Sequence, residues 1–301
     1  MRWHAPADLE EALLLREVHG EDVTVHAGGT FLGILMNQGL VAPPALLSLG
    51  RVAELRGIEV AGGELRLGAM ATHLAVERHP EVRAGWPMLA RAFGLVASRR
   101  VRAVATVGGV LADADYASDP PAALSALGAR AILRGPRGER SVLIEELILG
   151  YYTTCIRPDE LLVEVRVPPA PERAVYRKFV SRSSEDRPCV TVAAAHGAAG
   201  LAVVVGALAE RPQRFDDLCA AAAGDLPDAG TREQLAQDYA ARVEPIGDAR
   251  GSAAYRRRVC AVEVRRALDE LCRGRVAWAG GIVDAGRRGQ EGDSGAATDR
   301  S

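Results

Sequence analysis

The sequence predicts an α+β fold, and three observations carry that reading. Strand patterns dominate the first part of the chain and helical periodicity the last, in place of a regular strand–helix alternation. A proline-rich stretch, Pro168-Pro169-Ala170-Pro171-Glu172-Arg173, separates the two, and proline both removes ladder donors and stiffens the backbone. Apolar residues make up 48% of the 301 positions and charged residues 25%, an ordinary globular balance in a chain long enough for two cores.

Each element has a local cause. Residues 8–18 place Leu9, Ala12, Leu13 and Val18 on one helical stripe, with Asp8 suited to the N-cap and Gly20 to the end. Val23 to Ala27 reads as a strand that runs straight into Gly28-Gly29-Thr30. A short helix is expected from Phe31 to Asn37 and a strand from Ala45 to Leu49. Ile58 to Val60 and Glu64 to Gly68 flank Ala61-Gly62-Gly63 as a hairpin. Helices are expected over Thr72 to Arg78 and Met88 to Ala97. The run 104–111 is apolar and β-branched, and reads as a strand broken by Gly108-Gly109. Residues 112–121 are acidic and turn-rich, and Asp119 is suited to cap a helix opening on Pro120. Ala129 to Leu133 and Ser141 to Leu143 flank a turn at 135–138, and Leu161 to Val167 is a strand. Beyond the prolines, strands at 175–180, 190–195 and 201–205 predict a three-stranded antiparallel sheet, followed by helices at 216–223, 231–242 and 252–272. The tail, 278–301, is rich in Gly, Asp, Arg and Ser and is expected to be disordered.

Composition excludes several functions. The net charge of −2 gives no electrostatic case for nucleic acid or an anionic membrane as the main partner. No run of about 18 apolar residues predicts a membrane span, and the N-terminus lacks a secretory pattern, so a cytoplasmic protein is expected. The cysteines (155, 189, 219, 260 and 272) form no CxxC and no metal-finger spacing. Reduced thiols, no protein-ligated metal and no iron–sulfur cluster are expected in this chain. Of its 37 basic residues all but Lys178 are arginine, a skew typical of a GC-rich coding bias.

Two glycine pairs stand apart. Gly62-Gly63 belongs to a hairpin and Gly280-Gly281 opens the tail, whereas Gly28-Gly29 and Gly108-Gly109 each follow an apolar run. Glycine there permits positive φ and lets backbone N–H groups reach a ligand. Successive N–H groups make an anion nest, and Thr30 and Thr106 add hydroxyls. Two such loops are suited to grip a pyrophosphate, with ordinary turns as the alternative. Neither loop has the G-x-G-x-x-G or P-loop pattern.

The ordered set Ala27-Gly28-Gly29-Thr30, Thr106-Val107-Gly108-Gly109 and 112–124 (ADADYASDPPAAL) resembles the FAD-binding medium subunit of molybdenum hydroxylases, the family of xanthine dehydrogenase and aerobic carbon monoxide dehydrogenase flavoproteins. Segment 150–168, the run Tyr176-Arg177-Lys178-Phe179 and 252–268 are similar to later parts of the same family, so the resemblance covers about 1–275. It implies an FAD-binding domain of the PCMH and vanillyl-alcohol oxidase type over 1–170, with α+β subdomains at roughly 1–55 and 56–170, and a small α+β domain over 174–277. It implies non-covalent FAD held by Ala27, Gly28, Gly29, Thr30, Phe31, Leu32, Thr106, Val107, Gly108, Gly109, Val110, Asp119, Leu161 and Lys178. No catalytic side chain is implied. A large molybdenum-cofactor subunit and a small [2Fe–2S] subunit are implied partners, commonly as a dimer of heterotrimers. Electrons would pass from the clusters through FAD to NAD, a quinone or oxygen.

The sequence departs from the family pattern at Phe31, Ala103, Val110 and Asp113, and at Asp186-Arg187-Pro188-Cys189. Val110 lacks the amide donors of the usual Asn. These departures motivate one alternative, a degenerate scaffolding subunit with weak or no FAD binding. A stand-alone FAD oxidoreductase is the other. No acid–base dyad supports it, since His26 is equally a strand residue.

Overall fold

The computed structural model describes residues 1–183, 185–221 and 226–274. The tail expected over 278–301 lies outside the described residues, as does the end of the helix expected over 216–223.

The first fifty residues form a three-stranded parallel sheet in which Ala45–Ser48 lies between Arg2–His4 and Thr24–His26. Helix Leu9–His19 connects the outer two strands, with the Asp8 carboxylate accepting from the Glu11 N–H and Gly20 ending it at φ +48°. Here strands and helices alternate, as the elements read over 8–49 do, and Arg2–His4 adds a strand that was not expected. The three residues of Arg2–His4 are too short to carry a period. Ala45–Ser48 is buried at every position, as a central parallel strand requires.

A five-stranded antiparallel sheet follows, in the order Ile58–Ala61, Glu64–Gly68, Leu161–Val167, Arg130–Gly135 and Gly138–Leu143. Leu161–Val167 is its centre, and Val165 and Val167 are fully buried with Leu65, Leu67, Leu89 and Phe93. Helices His73–Arg78 and Pro87–Gly94 pack together over this core. The expected strand over 104–111 is not one. Only Thr106 bridges, to Thr72, and Val107–Ala112 is a helix capped by the Thr106 hydroxyl on the Gly109 N–H. Its β-branched composition misled because capping and burial outweigh the weak helix propensity of valine.

Helix Pro120–Ala126 is buried at all seven residues and packs on the last sheet. A Cβ on Gly206 of that sheet would stand 3.1 Å from the Cβ of Ala122, so glycine sets the approach distance. The sheet has four antiparallel strands, not the expected three: Arg173–Phe179, Val190–Gly197, Gly200–Gly206 and Gln213–Arg214. The fourth is two polar residues without alternation, and it exists because Val204 and Val205 offer backbone partners. Helices Ala229–Arg242 and Ala253–Arg273 share a core with this sheet through Leu235, Tyr239, Val264 and Leu268, against Val192, Val203 and Val205. Hydrogen bonds tie it to the preceding part. Arg91 Nε donates to Tyr176 O (2.9 Å) and the Tyr116 hydroxyl to Asp248 (2.9 Å), while Trp86 Nε1 holds the chain just before the boundary by donating to Pro168 O (2.9 Å). Among the described residues, no helix is long and apolar enough to cross a membrane.

Candidate functional site

A cleft of about 620 Å³ lies where the two glycine loops, Leu161 and Lys178 converge. That volume is within the range of small-molecule sites, roughly 300–1,000 Å³. Thirteen of the fourteen sequence-predicted residues line it. The exception is Val107, which is fully buried in the core beneath. The cleft wall thus comes from both early sheets and from the last one, so no single element could have revealed it.

The first loop has the backbone geometry of an anion nest. Gly29 has φ +67°, a left-handed conformation that only glycine adopts cheaply. Gly28 presses on the second loop, since a Cβ there would lie 2.1 Å from the carbonyl oxygen of Val104. The turn they make leaves the N–H groups of Gly28, Gly29, Thr30, Phe31 and Leu32 without an acceptor among the described residues. Consecutive unspent N–H groups facing a cleft form an anion nest.

The second loop does not mirror the first. The Val107 N–H donates to Ala71 O (3.0 Å), Gly108 to Ala69 O (2.7 Å), Gly109 to the Thr106 hydroxyl (3.1 Å) and Val110 to Thr106 O (3.1 Å). Its glycines serve packing: a Cβ on Gly108 would meet the Ala69 Cβ at 2.7 Å. Of the two loops, the first alone keeps consecutive N–H groups without an acceptor among the described residues, where both were expected to. Behind the loop, the buried His73 Nε2 bonds the Thr106 carbonyl at 3.1 Å. A carbonyl only accepts, so Nε2 carries the proton. Burial drives this imidazole down to about 4, and it is neutral.

Asp119 does not cap helix Pro120–Ala126; no side-chain cap bond forms. Its carboxylate turns instead to strand Arg173–Phe179. Tyr176 donates to Oδ1 at 2.8 Å and Lys178 Nζ to Oδ2 at 3.0 Å. Residues two apart on a strand share a face, so one strand grips both oxygens. Lys178 also donates to Leu95 O (2.7 Å), which leaves one of its three N–H bonds for the cleft. Both side chains of the ion pair are 4% exposed. Burial raises the Asp119 carboxyl to about 6, against the pull of Lys178 and Tyr176.

Several cleft residues were not among those read from the sequence. Arg187 pairs with Asp115 at 2.5 Å and lies 5.7 Å from the Phe31 ring centroid, and Phe31 stacks on Tyr152. Asp113 has no hydrogen bond or ion pair for its carboxyl among the described residues. Burial, then repulsion from Asp115, raises it to about 7, with Arg187 opposing. Asp113 and Arg187 fall where the sequence departs from the family pattern, the one signal that pointed to them, whereas Phe31 was already among the expected contacts. Arg16, at the far end of the cleft, gave none.

Comparison with known proteins fits this geometry. Residues 1–170 match the family described as the FAD binding domain in molybdopterin dehydrogenase, and 174–271 match the CO dehydrogenase flavoprotein C-terminal domain. The carbon monoxide dehydrogenase medium chain of Hydrogenophaga pseudoflava is 32% identical over 92% of this chain and 96% of its own. The nicotine 6-hydroxylase medium subunit of Paenarthrobacter nicotinovorans is 30% identical over 90% and 96%. The crystal structure of quinoline 2-oxidoreductase from Pseudomonas putida 86 superposes with a TM-score of 0.85 at 28% identity, covering 91% of this chain and 97% of that one. The chain belongs to the family of FAD-binding domains of molybdopterin dehydrogenases.

Proposed function

We propose that this chain is the FAD-binding electron-transfer subunit of a molybdenum hydroxylase, an oxidoreductase active as part of a complex. The observation that carries the reading is the first loop, where five residues that line a cleft of dinucleotide size have unspent N–H groups among the described residues. They suit a dianionic pyrophosphate, and the Thr30 hydroxyl adds a sixth donor. Lys178 keeps one N–H for the ligand while Asp119 offsets most of its charge. Bound FAD supplies the redox chemistry, accepting electrons from [2Fe–2S] clusters of a partner and passing them to NAD, a quinone or oxygen. The chain's own residues bind and orient the cofactor and exclude water from it.

The fourteen residues above are the proposed cofactor contacts, with Val107 acting from beneath the site. The same proposal divides the chain into an FAD-binding domain over 1–170 and a C-terminal domain over 174–277. A large molybdenum-cofactor subunit and a small [2Fe–2S] subunit are its partners, as a dimer of heterotrimers in the cytoplasm. The test is spectroscopic. The purified chain should bind one FAD, and that flavin should bleach when the assembled complex is given substrate. A colourless chain that takes up no added FAD would refute the proposal.

A further inference from the structure

We propose that Arg16, with Glu21 beside it, is the base-recognition subsite of this cleft and makes it select an adenine dinucleotide over a flavin mononucleotide. The inference rests on the FAD reading above.

Three cations line the cleft among the described residues: Arg16, Lys178 and Arg187. Lys178 is paired with Asp119 and Arg187 with Asp115. Arg16 has no carboxylate within ion-pair distance among the described residues. Backbone carbonyls hold it instead. Nη1 donates to Gly20 O (2.6 Å) and Val23 O (2.8 Å), and Nε to Glu160 O (3.4 Å). These bonds fix the plane of the guanidinium and leave Nη2 uncommitted. Burial lowers its pKa, and the more distant charges of Asp159 and Glu21 oppose that fall. An arginine remains charged regardless. A half-buried, immobilised, unpaired cation on a cleft wall is costly unless a ligand uses it.

Its position says which part of the ligand it meets. Arg16 grips Val23, at the start of strand Thr24–His26, and the N–H loop begins beyond the strand's other end. Four residue steps, across the three-residue strand Thr24–His26, separate Val23 from Ala27, about 13 Å at the usual rise of ~3.3 Å per residue. A pyrophosphate seated on the loop is out of reach of Arg16, and only an arm of the dinucleotide extends that far. The wall between is apolar, formed by Val25, Leu49 and Leu161. At its end stand a planar donor-only group, Arg16, and an acceptor-only carboxylate, Glu21. Adenine presents the complement, a ring-nitrogen acceptor beside the N6 amino donor. The flat guanidinium also suits stacking on a base. The flavin arm then runs the other way, towards Asp119 and Lys178.

The test compares two ligands on one protein. The full chain, stripped of flavin, is titrated with FAD and with FMN by fluorescence quenching, as wild type, Arg16→Leu, Arg16→Lys and Glu21→Gln. Arg16→Leu is expected to raise the Kd for FAD about tenfold, the scale of one lost charged hydrogen bond, and to leave that for FMN within twofold. Arg16→Lys keeps the charge without the planar fork and should fall between. Glu21→Gln should weaken FAD alone, by a few-fold. A variant that folds badly loses binding capacity for both ligands without changing their Kd ratio. Equal weakening of FAD and FMN would overturn the assignment, as would an unchanged FAD affinity in Arg16→Leu. A wild-type chain that binds neither flavin would bring down the FAD reading itself, and this inference with it.

Discussion

Replacing Gly28 with Ala probes the loop on which the functional reading depends. The added Cβ would lie 2.1 Å from the Val104 carbonyl oxygen, 2.8 Å from its carbon and 3.1 Å from the Ala105 Cα. All three are backbone atoms, so no rotamer change relieves the clash. Ordinary contact begins at 3.4 Å, and one loop must therefore retreat by about 1.3 Å. Overpacking of this kind costs about 1–3 kcal/mol of stability. A retreat of that size also spoils the aim of the Gly28 and Gly29 N–H groups. Hydrogen bonds to a charged group contribute about 1.5–3 kcal/mol each, so losing two should weaken FAD by at least a hundredfold. The assay is flavin fluorescence titration alongside thermal denaturation of the apoprotein. Gly33→Ala is the control, because a Cβ there meets nothing within 4 Å. It should bind FAD normally and melt no lower than wild type. If Gly28→Ala binds FAD within threefold of wild type, the N–H groups of this loop do not hold the cofactor.

The remaining predictions concern charge. Lys178→Ala should weaken FAD retention and destabilise the fold by about 3–5 kcal/mol, since it strands Asp119 in a buried site. The double variant Lys178→Met with Asp119→Asn should recover much of that stability in urea denaturation without recovering FAD affinity. Asp113 binds its proton more tightly in the folded state, where its carboxyl titrates near 7. Its contribution to stability is thus complete below about pH 4 and lost as pH rises through 7. Asp113→Asn should flatten the stability profile over that window, by at most about 4 kcal/mol. His73 has the opposite signature. Its depressed value of about 4 makes folding stability fall as pH drops from about 6.5 towards 4, and His73→Gln should remove that acid limb.

The family resemblance of the ordered motifs named thirteen of the residues that gather at the cleft, and the sequence by itself determined the α+β class, the strand that leads into Gly28, the hairpin around Gly62 and the three longer strands after the prolines. These are local matters. Alternation over five or more residues, glycine after an apolar run and a capping residue before a helix leave marks in the order of residues. What only the tertiary structure decided depended on partners distant in sequence. Strand Gln213–Arg214 exists because Val204 and Val205 had free backbone groups, not because its residues alternate. Thr106 starts a helix because Ala69 and Ala71 accept the N–H groups of Gly108 and Val107, which also removes them from ligand binding. Asp119 is a reasonable cap by spacing, yet a lysine 59 residues away and a buried tyrosine hold its carboxylate more strongly than its own helix could. In a low-dielectric interior an ionised partner outweighs a local backbone donor. Whether a polar group faces the ligand or the fold is therefore settled only once the chain has closed around it.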